Sequence, residues 1–213
     1  MTPEIVSTLL HDTIALITIF NPIAAAGLLV TMVSPPTPAN IYPAAWKATL
    51  TIVIASLVTL FTGEFLFKLF GINVYSIKVI GGVILMMIAI NMAYGQPTKA
   101  RHTKEEQAEA EEKEDISIVP LGIPILFGPG VIATIIVLNH NNAHRYGTLL
   151  SYGLVTAAIV LSALTVYLIL RYSGIINRAL GVTGMKIMTR IMGLVVGAIA
   201  AQFLIGGVKG LWG

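Results

Sequence analysis

The sequence predicts an all-α membrane protein of six transmembrane helices, built as two inverted three-helix repeats whose first and fourth helices are broken at mid-membrane. Composition indicates the class, because 56% of the 213 residues are hydrophobic and only 11% are charged, against about 25% charged residues in average proteins. Six apolar windows lie near or above the length of about 20 residues that crosses a bilayer. Two of them carry a proline motif at corresponding places, which predicts both the breaks and the repeat.

The six windows define the predicted spans and domains. They cover residues 5–33, 41–66, 79–94, 117–138, 147–170 and 187–211, and their continuous apolar runs predict helices instead of the alternating strands of a barrel. Three windows precede a polar stretch and three follow it. We therefore expect a first repeat at 1–95, a charged cytoplasmic linker at 96–116 and a second repeat at 117–213. Three spans reverse the chain, so the second repeat should be inverted. The linker is either a spacer or a regulatory, partner-binding segment.

The proline motifs predict a substrate site. Proline is favoured at the first position of a helix, and Asn or Gly at the N-cap, so each motif predicts a helix that starts at mid-membrane. Broken backbone in lipid is tolerated only where it is buried in protein or lines a cavity. Helix N-termini attract anionic groups, and the small neighbouring residues suit a small zwitterion. The alternative is a proline kink between closely packed helices. The predicted substrate-binding residues here are Asn21, Pro22, Ala24, Ala25, Gly128, Pro129, Gly130 and Thr134.

Other polar residues in the apolar windows extend this site. Asn91 and Gln202 occupy matching places in the third and sixth windows, and buried amides need partners. We expect them to line the site, with hydrogen bonding between helices as the alternative. Lys78 and Arg190 are candidates for holding a substrate carboxylate, or else they extend to the membrane interface.

Asp12 is the candidate for proton coupling. It lies about 13 Å before the first break at 1.5 Å per helical residue, and an acid inside a membrane can carry a proton. The alternative places it at the headgroup level.

The sequence lacks the residues that several functional classes require. The chain has no cysteine. His140 and His144 are expected in a loop at 139–146 without an acid nearby, so no metal site or cofactor is predicted. No metalloprotease motif, nucleophile motif or P-loop is present, so neither an enzyme nor an ATP-driven pump is expected.

The distribution of positive charge predicts the orientation. With the N-terminus outside, nine of the 13 Lys and Arg residues fall on the cytoplasmic side, as the positive-inside rule requires. We therefore expect a multi-pass protein of the cell membrane with both termini outside. The small net charge of +3 gives no indication of a nucleic-acid partner. The small-residue face Gly193-x-x-x-Gly197 suits packing either inside the bundle or between copies in a homo-oligomer.

These motifs together resemble the MarC family of integral membrane proteins, which is grouped with the LysE-type exporters. The resemblance covers essentially the whole chain and rests on Asn21-Pro22, on residues 119–124 (VPLGIP) leading to Gly128-Pro129-Gly130, and on residues 189–193 (TRIMG). It implies six helices in inverted repeats, both termini outside, and proton-coupled transport of small neutral amino acids such as glycine and alanine. The chain departs from the family at Ala24, where the family often has Gly, and at Lys78, where it usually has Arg.

The sequence thus predicts a secondary active transporter of a small neutral amino acid that works by alternating access. The alternatives are a non-transporting membrane scaffold or partner protein and an exporter of another small solute.

Overall fold

The structure, a computed structural model, describes residues 3–95 and 121–212, except for the side chains of residues 123–125. All regular elements in these ranges are helical, which confirms the predicted all-α membrane class. The predicted linker at 96–116 lies outside the described residues. The elements are α1 (Pro3–Phe20), α2 (Pro22–Met32), α3 (Pro38–Leu69), α4 (Val74–Ala93), a π-helical turn (Leu121–Leu126), α5 (Pro129–Tyr146), α6 (Thr148–Arg171) and α7 (Ser173–Trp212).

Five of these stretches are long and apolar enough to cross a membrane: α1 with α2, α3, α4, α6 and α7. The predicted fourth span is not among them, because it is divided before Gly128 into the π-helical turn and α5, and its start lies outside the described residues. α5 continues to Tyr146 and ends at Gly147, whose φ of 85° suits glycine. The expectation that residues 139–146 form a loop was therefore wrong.

The packing of the helices has the symmetry of an inverted repeat. α3 packs against α6, and α4 packs extensively against α7. After the first break, α2 packs on α6 and α7; after the second break, α5 packs on α3 and α4. Each half-helix that follows a break therefore contacts the second and third spans of the opposite repeat. Exchanging the two repeats leaves this set of contacts unchanged, which supports the repeat inferred from sequence.

The contact between α4 and α7 gives the same relation at the level of single residues. An ideal Cβ placed on Gly82 would lie 3.0 Å from the carbonyl oxygen of Ala200. One placed on Gly193 would lie 3.1 Å from the carbonyl oxygen of Ala89. On each helix the contacted alanine follows the glycine by seven residues: Ala89 follows Gly82 on α4, and Ala200 follows Gly193 on α7. The two glycines thus permit a reciprocal, close antiparallel approach of backbones, and the small-residue face at Gly193 is used inside the bundle.

Two ends of the bundle can be distinguished. At the N-terminal face, the Thr8 hydroxyl and the Tyr146 hydroxyl are 2.8 Å apart, which joins the start of α1 to the end of α5. At the linker face, the Arg190 guanidinium lies over Gly95, where the first repeat ends. The first broken span is half buried between these ends and the first part of α5 is mostly buried. The helices α3, α4, α6 and α7 expose many large apolar side chains suited to lipid.

Candidate functional site

The first break is produced by the backbone of Asn21. Its φ of 49° and ψ of 57° are left-handed, a conformation that Asn tolerates better than most residues. Its amide donates to the Ile17 carbonyl at 3.1 Å, which ends α1. Pro22 then starts α2. Because Pro22 has no amide hydrogen and the Ala25 amide donates to the Asn21 carbonyl, helix geometry leaves the two intervening amides without a partner inside α2.

The second break combines a π-helical turn with an extended glycine. The Phe127 amide donates to the Gly122 carbonyl at 3.0 Å, which is the wider spacing of a π-helix. Gly128 is extended, with φ of −112° and ψ of 179°, and caps α5 ahead of Pro129. Its carbonyl accepts from the amides of residues 131 and 132. The amide of Gly130 is then the free donor at the start of α5.

Both breaks pack against one short stretch of α4. The Asn21 Nδ2 donates to the Met92 Sδ at 3.7 Å. An ideal Cβ on Gly130 would lie 2.8 Å from the Leu85 Cδ2 and 3.6 Å from the Ile88 Cδ1. Leu85 and Met92 are separated by about 10 Å along the helix axis. The fold therefore brings the two predicted breaks to the second half of α4, between Leu85 and the end of the helix near the linker face.

The break region offers both hydrogen-bond donors and a hydrogen-bond acceptor. The Oδ1 of Asn21 is buried and has no hydrogen-bond partner among the described residues. It is an acceptor suited to an ammonium, while the free amides at the starts of α2 and α5 suit a carboxylate. Ala24 is partly buried and Ala25 is buried, so little volume is taken by side chains. Thr134 is fully buried and its hydroxyl donates to the Gly130 carbonyl at 2.8 Å.

Asn21 acts differently from a conventional N-cap. Its side chain makes no capping hydrogen bond to α2. The requirement for Asn comes from the left-handed backbone that joins the two half-helices, and this leaves the amide oxygen free.

The other predicted substrate residues are exposed or make their contacts with residues outside the breaks. Lys78 donates from its Nζ to the Asn141 Oδ1 at 2.9 Å, toward the N-terminal face. Arg190 is exposed at the linker face. Asn91 and Gln202 are both exposed. The two cations thus stand at opposite ends of the α4–α7 pair, as a two-fold relation requires, and neither meets the breaks.

Asp12 is buried inside the protein and paired. Its side chain is 3% exposed, and its Oδ2 accepts from the Asn142 Nδ2 at 2.6 Å. The Nδ1 of the exposed His11 lies 3.4 Å from the other carboxylate oxygen. This pair joins α1 to α5 between the breaks and the N-terminal face. Asn142 was not singled out from sequence, although a buried acid inside a membrane requires such a partner.

Comparison with known proteins gives one family. A sequence model described as MarC family integral membrane protein matches residues 6–212. The UPF0056 membrane protein YhcE of Escherichia coli is 31% identical over 202 residues, covering 93% of this chain and 91% of that protein. The UPF0056 membrane protein YvbG of Bacillus subtilis is 34% identical over 209 residues, covering 97% and 96%. A UPF0056 membrane protein of Aquifex aeolicus is 32% identical over 198 residues, covering 93% and 91%. No solved structure gives a significant match.

Proposed function

The chain belongs to the MarC family of integral membrane proteins, and we propose that it is a secondary active transporter of small neutral amino acids of the glycine and alanine type. In this proposal it is neither an enzyme nor an assembly scaffold. It resides in the cell membrane with both termini outside, so that the N-terminal face is the external face.

The observation that carries the proposal is the meeting of two helix breaks on one stretch of α4. Each break supplies free backbone donors, and Asn21 supplies a buried acceptor without a partner. A small zwitterion satisfies both kinds of group at once, because its carboxylate accepts from amides and its ammonium donates to the amide oxygen. A large side chain on the substrate would meet the tight packing of Gly130 against α4.

The inverted repeat supports alternating access. The half-helices α2 and α5 each pack on the opposite repeat, so equivalent contacts are available at the two faces. A movement of one repeat against the other can therefore exchange the open and closed ends around a fixed site, as in other transporters built from inverted repeats.

Asp12 is the group proposed to couple transport to protons. It lies on the half-helix that ends at Asn21, and its buried contact with Asn142 links that half-helix to α5. Protonation would remove the negative charge that the Asn142 amide now stabilises. Loss of that attraction would favour separation of α1 from α5 and opening of the external face.

The proposal is tested by thermal unfolding of the detergent-purified protein with a panel of amino acids at two pH values. Selective binding to the folded state raises stability by RT ln(1 + [L]/Kd), about 2.7 kcal/mol at a concentration of 100 Kd. We expect stabilisation by glycine, alanine and serine, and none by leucine or lysine. Stabilisation by none of the panel at millimolar concentration, together with no uptake in proteoliposomes, would overturn the proposal in favour of a scaffold or an exporter of another solute.

A matched pair of variants locates the site. Thr134→Val removes the buried hydroxyl that donates to the Gly130 carbonyl, whereas Thr165→Val removes an exposed hydroxyl with the same bond to its own helix. We expect weaker glycine binding only in Thr134→Val. Equal binding in both variants would place the ligand elsewhere.

A further inference from the structure

A cavity lined by charged side chains lies at the N-terminal face, between α3, α4 and α5. It has a volume of about 430 Å³. One wall carries the ion pair of Glu64 and Lys68, whose Oε1 and Nζ are 2.9 Å apart. The opposite wall carries His140 and His144, whose ring centroids are 4.5 Å apart. These side chains play no part in the site at the breaks.

The chemistry of the cavity suits a zwitterion. Glu64 is a carboxylate only 26% exposed at its side chain, so it can hold an ammonium. Lys68 is 73% exposed and free to turn toward a carboxylate while remaining near Glu64. The imidazoles of His140 and His144 add further donors to a carboxylate. Acceptor and donors thus stand within one cavity, in the arrangement that an amino acid's two charges require.

The cavity is aligned with the second break. One face of α5 carries, in order toward the N-terminal face, Gly130, Ala133, Ile136 and His140. The cavity therefore lies about 15 Å from the second break, on the side of the N-terminal face. Its floor is Ile77, which forms a buried apolar cluster with Ala133 and Ile136. The three side chains are at most 5% exposed. They therefore close the route between cavity and break in this conformation.

We propose that this cavity is an external vestibule of the translocation path, which collects a small zwitterion before the Ile77 cluster opens. The ammonium binds at Glu64 and the carboxylate at Lys68 and the two imidazoles. The inference rests on the proposed transport function, and it adds a second, outer binding site for the same class of substrate.

The test is glycine transport by oriented proteoliposomes, with substrate added to one face at a time. Glu64→Gln and Lys68→Gln are compared with Lys209→Gln, which removes an exposed cation toward the same face outside the cavity lining. For the first two variants we expect KM at the N-terminal face to rise roughly two- to fivefold, as for a partly exposed charge contact. KM at the linker face should stay at the wild-type value, as should all parameters of Lys209→Gln.

The outcomes separate the two proposals. A rise in KM at both faces, or none at either, would overturn the vestibule while leaving the central site intact. A wild-type protein that neither binds nor transports any amino acid would overturn the proposed function, and the vestibule with it. Only a change confined to the N-terminal face supports the vestibule, since general damage to the fold would affect both directions.

Discussion

Asn21 has two separable roles, and two substitutions distinguish them. Its backbone is left-handed, and its side-chain oxygen is buried with no hydrogen-bond partner in the part of the chain that the structure describes. Asn21→Gly keeps the backbone conformation, because glycine adopts positive φ readily. It also removes the unpaired oxygen, whose burial costs about 1–3 kcal/mol. Against this stands the added chain entropy of glycine, about 0.5–1 kcal/mol. The stability of Asn21→Gly without ligand should therefore equal or slightly exceed that of the wild-type protein.

Asn21→Ala lacks the same amide but carries a Cβ into the left-handed region, at a cost of about 1–2 kcal/mol. Relative to Asn21→Gly, and allowing for glycine entropy, we expect a loss of about 1 kcal/mol, or about 2–4 °C in the unfolding temperature of a chain of this size. Thermal unfolding of both variants in the same detergent measures this difference. Equal stability of the two would refute the argument that the backbone conformation requires Asn at the break.

Ligand titration of the Asn21→Gly variant isolates the side-chain role. If the free oxygen accepts from the substrate ammonium, its loss removes a hydrogen bond to a charged group, worth about 1.5–3 kcal/mol. The dissociation constant of glycine should then rise roughly 10- to 150-fold. Wild-type affinity in a well-folded Asn21→Gly protein would refute the assignment of this side chain to the substrate site.

Two further predictions concern the contacts that hold the repeats together. Gly82→Ala and Gly193→Ala should each lower the free energy of unfolding by about 1–3 kcal/mol, because the new methyl group meets backbone of the facing helix. Thermal unfolding measures this loss. The control Gly206→Ala should show no such loss, because its methyl group would meet nothing within 4 Å. Asp12→Asn should abolish the dependence of transport on a pH gradient while preserving glycine binding, and gradient-driven accumulation by this variant would contradict the coupling role. Asn142→Leu should destabilise the protein by about 1–3 kcal/mol, because Asp12 is then buried without its amide partner.

The breaks were predictable because they depend on local backbone chemistry. Proline cannot continue a helix from the preceding turn, and the residue before it leaves helical geometry, left-handed at Asn21 and extended at Gly128. In the structure α2 begins at Pro22 and α5 begins at Pro129, as those motifs predict. The repeat stays a prediction that rests on the recurrence of these motifs in corresponding spans.

The partners of charged residues were less predictable, because they depend on which helices meet. Lys78 hydrogen-bonds Asn141 instead of meeting a break, and Asp12 is buried by α5. Both asparagines lie in a polar run that we expected to be a loop. Within this run Asn139 and Asn142 are buried and hydrogen-bond Ser151 and Asp12, and these tertiary contacts outweigh the weak helix preference of Asn.

The pairing of Asp12 with Asn142 has no counterpart in the sequence of the other half of the predicted repeat. Aligning Asn21 with Gly128 aligns Asp12 with Val119, and Asn142 with Pro35. The same alignment therefore gives no acid–amide pair at the linker face. Two equivalent faces allow two conformations of similar energy in the proposed transporter. A titratable contact at one face alone makes the energy difference between the conformations depend on protonation, and only such differential binding can shift their populations.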